Sequence, residues 1–102
     1  MVSAISRYYG LVPGNLNTAW GLLTPEYQAN HAGGRNAYDR FWAPVGSASA
    51  TNVRATGADS VQATITYRYR SGKVTTEVTG FRMVAQGGVL KIADSTVISS
   101  TG

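Results

Sequence analysis

The sequence predicts an α+β domain in which about three amino-terminal helices pack on a curved four-stranded antiparallel sheet. Three observations point to this class. Apolar residues up to Ala43 recur at helical spacing, whereas from Val45 onward they alternate with polar residues, as in half-buried strands. The turns of the second half are short and rich in glycine, which favours strands that return antiparallel. Helices followed by such a meander form an α+β architecture with the helices on one face of the sheet.

Length and composition set further bounds. With 102 residues and 10.8 kDa the chain has the size of one domain, so residues 1–102 are expected to fold as a single unit. Hydrophobic residues make up 43% and charged residues only 14%, which suits a globular core and not a solvated coil. The absence of cysteine excludes a disulfide framework, a thiolate nucleophile and a cysteine-ligated metal centre.

The charge is basic but dispersed. Nine Lys and Arg against five Asp and Glu give a net charge of +4, which makes phosphate, acidic polymers and anionic membranes worth testing. The seven arginines form no run, so we expect surface charge and no nucleic-acid partner. No stretch approaches the ~20 apolar residues that span a bilayer, so direct membrane insertion is not expected. One histidine and scattered carboxylates suggest neither a metal centre nor a cofactor site.

The first two helices are separated by a break. Apolar residues at helical spacing predict helix one, namely Ala4, Ile5, Tyr8, Leu11 and Val12. Pro13 and Gly14 should end it, because proline cannot continue the hydrogen-bond ladder. Asn15 is a good N-cap for helix two. The apolar stripe of that helix consists of Leu16, Ala19, Trp20 and Leu23.

A further turn and a third helix follow. Thr24 should cap the turn, with Pro25 at its first position. The third helix is expected from about Gly34 to Ala43, before Pro44. One face should carry Tyr38, Phe41 and Trp42, and the other Asp39 and Arg40. Asp39 therefore reads as a surface charge that pairs with Arg35 or Arg40.

Four strands are predicted. The clearest has Val61, Ala63, Ile65, Tyr67 and Tyr69 on one face. It should turn at Ser71-Gly72 into a strand from Lys73 to Ala85, and the chain should reverse again into Val89 to Ser99. An earlier strand is expected roughly from Ala48 to Ala55. Gly80, in the middle of the third strand, is expected to mark a bulge that curls the sheet.

The aromatic residues should gather between helices and sheet. The expected cluster is Tyr8, Trp20, Tyr38, Phe41 and Trp42 against Ile65, Tyr67, Tyr69, Phe81, Leu90 and Ile92. This cluster is either a solid core or the wall of a conical pocket, and both interpretations stay open. If there is a pocket, its ligand-binding residues should be Trp20, Tyr38, Trp42, Tyr67 and Tyr69.

The chain resembles the small carboxy-terminal domains of actinobacterial membrane-anchored serine/threonine protein kinases, whose fold is similar to nuclear transport factor 2 (cystatin-like). The resemblance covers about residues 4 to 99 and rests on the segments Leu11–Leu16, Ala19–Pro25, Tyr38–Trp42 and Leu90–Ser95. It implies a non-catalytic sensor outside the membrane, tethered in the parent protein. The glycine-rich loop, the His-Arg-Asp motif and the Asp-Phe-Gly motif of kinases are missing, so phosphoryl transfer cannot reside here.

Two sensing mechanisms are expected from this resemblance. A small molecule or a cell-wall fragment could enter between helices and sheet. Alternatively, two copies could associate as a homodimer through the outer sheet face formed by Thr64, Thr66, Arg68 and Arg70, with Thr75, Glu77 and Thr79 as neighbours on the next strand. Either event would bring tethered kinase domains together.

An enzyme is the alternative interpretation. Similar folds include cofactor-independent lyases, isomerases and hydrolases, in which an acid or base works inside an apolar cone. Asp94 is the one weak candidate, because alternation with Leu90 and Ile92 would point it into the concave side. A structural contact with Arg82 or a tyrosine is preferred over a catalytic role, and a bulge would turn Asp94 outward. His31 reads as an exposed loop residue.

Overall fold

Four helical segments precede one four-stranded sheet in the computed structural model, which describes residues 1–101. The helical segments are α1 (Val2–Leu11), α2 (Leu16–Trp20), a π-helical turn (Tyr27–His31) and α3 (Arg35–Trp42). The strands are β1 (Val45–Ala55), β2 (Ser60–Tyr69), β3 (Val74–Gln86) and β4 (Val89–Thr101). They lie in the order β1-β2-β3-β4, and every neighbouring pair is antiparallel. The predicted α+β class is confirmed.

Local capping explains where the short helices begin. The side-chain oxygen of Asn15 accepts a hydrogen bond from the backbone N–H of Thr18 at 3.3 Å, which confirms the predicted N-cap of α2. The hydroxyl oxygen of Thr24 accepts from the N–H of Tyr27 at 3.2 Å, so the turn after Thr24 also begins as predicted. No helix within residues 1–101 is long and apolar enough to cross a bilayer.

The register of the sheet gives each strand an inner face toward the helices. Val61 lies opposite Phe81, and Ile65 lies opposite Glu77. The inner residues of β2, from Val61 to Tyr67, are buried at alternate positions, as the sequence pattern predicts. A parallel bridge between Leu23 and Ile92 holds the segment after α2 against β4.

The bulge predicted at Gly80 is wrong. Gly80 pairs regularly with Gln62 on β2 and with Thr96 on β4. On the β4 side, Ala93 and Ile98 are each skipped in the pairing with β3, and the pairing of β1 with β2 shifts register between Val45 and Ser47 and between Thr51 and Arg54. A Cβ at Gly80 would lie 3.7 Å from the Ile98 side chain, an ordinary contact, so the backbone there does not require glycine.

Seven of the eleven residues of the predicted aromatic cluster are buried, Trp20 and Tyr69 are partly buried against the core, and two are exposed. Phe41 is 52% exposed, although its ring centroid lies 5.0 Å from that of Trp42 and 6.0 Å from that of Tyr67. Leu90 is 38% exposed, at the start of β4 beside the last hairpin. These two residues were wrongly expected in the core. Tyr9, which the expected cluster omits, is buried and packs edge-on against Phe81 at 6.0 Å.

Candidate functional site

A cavity of about 320 Å³ lies between the helical segments and the inner face of the sheet. Five of the six tyrosines of the chain line it, and we call them the cavity tyrosines: Tyr8, Tyr9, Tyr27, Tyr38 and Tyr67. The remaining lining residues are Phe41 and Trp42 from α3, His31 and Ala32, and the strand residues Glu77, Thr79, Ser95 and Val97. The cavity therefore has aromatic walls with a few polar groups among them.

The structure brings together three of the five residues expected to bind a ligand. Tyr38, Trp42 and Tyr67 line the cavity, whereas Trp20 and Tyr69 do not. Trp20 lies one layer further out, with its ring centroid 4.9 Å from that of Tyr38. Tyr69 is partly buried at the last position of β2. The sequence periodicity places both on the correct face but cannot tell how far along that face the cavity extends.

Two polar lining residues on β3 were predicted on the opposite face. Glu77 and Thr79 were expected beside the Thr64 and Arg68 face, but the β2–β3 register places them opposite the inward residues Ile65 and Ala63. Residues two and four positions before Phe81 share its face of the sheet, so a buried Phe81 would have placed Thr79 and Glu77 on the inner face. The predicted outer face therefore has different neighbours on β3.

Two pairs of hydroxyl groups form hydrogen bonds in the lining of the cavity. The hydroxyls of Tyr8 and Tyr38 are 2.8 Å apart and join α1 to α3. The hydroxyl of Tyr27 is 2.9 Å from the side-chain oxygen of Ser95 and joins the π-helical turn to β4. These two bonds tie three helical segments and one strand into the wall, so its shape is fixed by more than apolar packing.

His31 lines the cavity and contacts both Tyr27 and Ser95. Its ring stacks on Tyr27, with centroids 4.4 Å apart and planes 14° from parallel. Its Nε2 atom is 3.1 Å from the carbonyl oxygen of Ser95 and 3.2 Å from the Ser95 hydroxyl oxygen. A nitrogen that donates to a carbonyl carries a proton and cannot also act as the base for that serine. Within residues 1–101 no carboxylate bonds to the other ring nitrogen, and the contact with Ser95 joins the π-helical turn to β4.

The expectation that Asp94 points into the concave side is wrong. The skipped Ala93 shifts the alternation of β4 by one, so Ser95 takes the inward position. Asp94 lies opposite Arg82 on the outer face, in a groove of about 290 Å³, and its carboxylate accepts from the N–H of Ser95 at 2.9 Å. The predicted candidate for acid–base chemistry is therefore outside the cavity. Asp39 pairs with Arg35 at 2.8 Å, as the helical spacing predicts.

Burial controls the ionisation of the cavity walls. It raises the pKa of all five cavity tyrosines above the ordinary value, and for Tyr8 and Tyr9 well above it. For Tyr67 burial is the larger cause, and the nearby carboxylate of Glu77 raises the pKa further. All five rings are therefore neutral phenols at physiological pH.

One buried polar atom in the wall lacks a partner. The hydroxyl oxygen of Thr79 is buried, and no group within residues 1–101 hydrogen-bonds to it. Thr79 itself is only 5% exposed and lines the cavity. Buried polar atoms nearly always have partners, so this one marks a place where a bound molecule would find a hydrogen-bonding group. Within residues 1–101, no group of three His, Asp or Glu side chains lies close enough together to hold a metal ion.

No family model matches the sequence, and no curated protein or solved structure matches the chain.

Proposed function

We propose that the chain is a non-catalytic module that binds one small, largely apolar molecule in the tyrosine-lined cavity. The observation that carries the proposal is a cavity of about 320 Å³ with aromatic walls and an unpartnered hydroxyl, that of Thr79, in its lining. Binding pockets combine apolar walls with a few polar groups that orient the ligand. A volume near the lower end of the usual range, from about 300 Å³, favours a molecule of about one ring with a substituent.

The cellular role belongs to the same proposal. The chain serves as an extracytoplasmic sensor of a receptor-type serine/threonine protein kinase, with a nuclear transport factor 2-like fold and with a small molecule or a cell-wall fragment as its signal. Helices on one face of a four-stranded antiparallel sheet agree with the architecture that the sequence resemblance implies. The opposite face, which carries Thr64, Thr66 and Arg68, stays available for a second copy.

Binding should depend on the residue at the mouth of the cavity. Val97 and Ile98 are neighbours on β4 and are 51% and 58% exposed, but only Val97 lines the cavity. A probe at a hundred times its dissociation constant stabilises a protein by about 2.7 kcal/mol, a rise in melting temperature on the order of 10 °C for a domain of this size. Val97→Trp should remove most of that rise by filling the mouth, whereas Ile98→Trp should preserve it.

The measurement is thermal unfolding of both variants and of the unmodified chain with neopentylbenzene, benzyltrimethylammonium and phenylmethanesulfonate as probes. Each probe carries one ring and one compact substituent. A rise that survives Val97→Trp but disappears with Ile98→Trp would place the binding site on the outer groove and refute the proposal. No rise with any probe would also count against it.

A further inference from the structure

The cavity has a charge opposite to that of the protein. The chain carries nine Lys and Arg against five Asp and Glu, yet none of the nine lines the cavity. One carboxylate, that of Glu77, does line it. A basic protein thus holds a cavity whose one side chain of fixed charge is negative.

Glu77 has no counter-charge of its own. It is partly buried, and within residues 1–101 its carboxylate takes part in no ion pair and no hydrogen bond. It lies on the inner face opposite Ile65 and diagonally across from Tyr67, within reach of a long side chain. The effect of its charge on the pKa of Tyr67, second to that of burial, agrees with this closeness. A cation bound in the cavity would therefore meet a carboxylate that has no other charged partner.

Aromatic rings that line the same cavity as Glu77 are suited to a cation. The Trp42 and Tyr67 centroids are 5.8 Å apart, and Phe41 closes the same side of the cavity at 6.0 Å from Tyr67. The face of an aromatic ring carries negative potential, and several rings around one space attract ammonium groups there. The cavity phenols remain uncharged, so the attraction comes from their faces and from the one carboxylate.

We propose that the molecule bound in this cavity carries an organic ammonium group, held by the carboxylate of Glu77 and by the surrounding ring faces. The inference rests on the proposed ligand-binding function and names the chemical class of the ligand. An apolar remainder of the molecule packs against Tyr8, Tyr9 and Trp42. The unpartnered hydroxyl of Thr79 accepts a hydrogen bond when the ammonium carries N–H groups. An anion would meet repulsion from Glu77 and no basic side chain in the lining.

The experiment compares probes of one shape and different charge by calorimetric titration. Benzyltrimethylammonium and neopentylbenzene differ in having a nitrogen cation or a carbon atom at the same position, and phenylmethanesulfonate supplies the anion. We expect benzyltrimethylammonium, or 2-phenylethylammonium where N–H donors are needed, to bind about tenfold or more tightly than neopentylbenzene. The sulfonate should bind most weakly.

Matched variants assign the effect to one carboxylate. Glu77→Gln should weaken binding of the cation about tenfold and leave neopentylbenzene unchanged. Glu26→Gln removes the same charge from an exposed position outside the cavity and should change neither. If Glu77→Gln does not fold, the ratio of cation to neutral probe on the unmodified chain decides the question.

The outcomes separate this inference from the proposed function. Suppose that neopentylbenzene or the sulfonate binds as tightly as both cations and that Val97→Trp weakens this binding. Such a result would overturn the ammonium inference and leave the ligand-binding function intact. An equal loss for charged and neutral probes in Glu77→Gln would overturn it as well. No binding by any probe would overturn both.

Discussion

Raising the pH above about 10 should destabilise the protein steeply. The pKa of each cavity tyrosine is raised in the folded state, chiefly by burial. Above the ordinary tyrosine pKa the unfolded chain loses phenolic protons that the folded chain keeps, so stability falls as the pH rises. Below that value the contribution of these groups is fully present.

The expected loss is large for a domain of this size. Each phenol that stays protonated in the folded state lowers the free energy of unfolding by about 1.4 kcal/mol per pH unit above its unfolded pKa. Three of the five, Tyr8, Tyr9 and Tyr67, have the largest upward pKa shifts and together account for roughly 4 kcal/mol by pH 11. The total stability of such domains is only about 5–15 kcal/mol.

Urea unfolding at pH 8, 10 and 11, followed alongside the absorbance of tyrosinate, measures this effect. Tyrosinate should appear together with unfolding. Tyr9→Phe, which removes one titrating group, should flatten the pH dependence. If all the tyrosines ionise reversibly near pH 10 with no loss of stability, the phenols reach solvent. The claim that the cavity tyrosines are buried would then be wrong.

Two buried threonines should respond in opposite directions to the same substitution. Thr24→Val removes the hydroxyl that accepts from the N–H of Tyr27, which leaves that donor without its partner and should destabilise by about 1–2 kcal/mol. Thr79→Val removes a buried hydroxyl that has no partner within residues 1–101 and should stabilise the unliganded protein by about 1 kcal/mol. The two variants should therefore differ by about 2–3 kcal/mol.

The difference is read from urea midpoints at pH 7 with unchanged slopes. Because both sites are buried and both substitutions are of equal size, changes in volume and hydrophobicity cancel to first order. Equal destabilisation by the two variants would mean that the hydroxyl of Thr79 is satisfied in solution, and the cavity would lose its orienting group.

Local chemistry explains which features could be predicted from the sequence. The caps at Asn15 and Thr24, the alternation of β2 and the pairing of Asp39 with Arg35 depend on residues within four positions of each other. Such interactions leave a pattern in the sequence itself. The helix starts, the hairpins and the α+β class were therefore predictable.

The features that the sequence did not reveal depend on distant contacts. The bulge that turns Asp94 outward sits at Ala93, a residue with no backbone preference for a bulge, and it is set by pairing with β3. Trp20 and Trp42 have equivalent positions in their helical stripes, but only the packing of α3 on the sheet places Trp42 at the cavity. Glu77 could have been placed by alternation from Phe81, yet its polarity suggested the outer face.

The two tryptophans allow the most direct test of the cavity as the binding site. The indole N–H groups of Trp20 and Trp42 give two separate signals in a nitrogen–proton correlation spectrum, and only Trp42 lines the cavity. On saturation with benzyltrimethylammonium or neopentylbenzene, the Trp42 signal should shift strongly, and the Trp20 signal, one layer behind Tyr38, should shift much less. Binding that moves the Trp20 signal alone, or neither indole signal, would contradict the account.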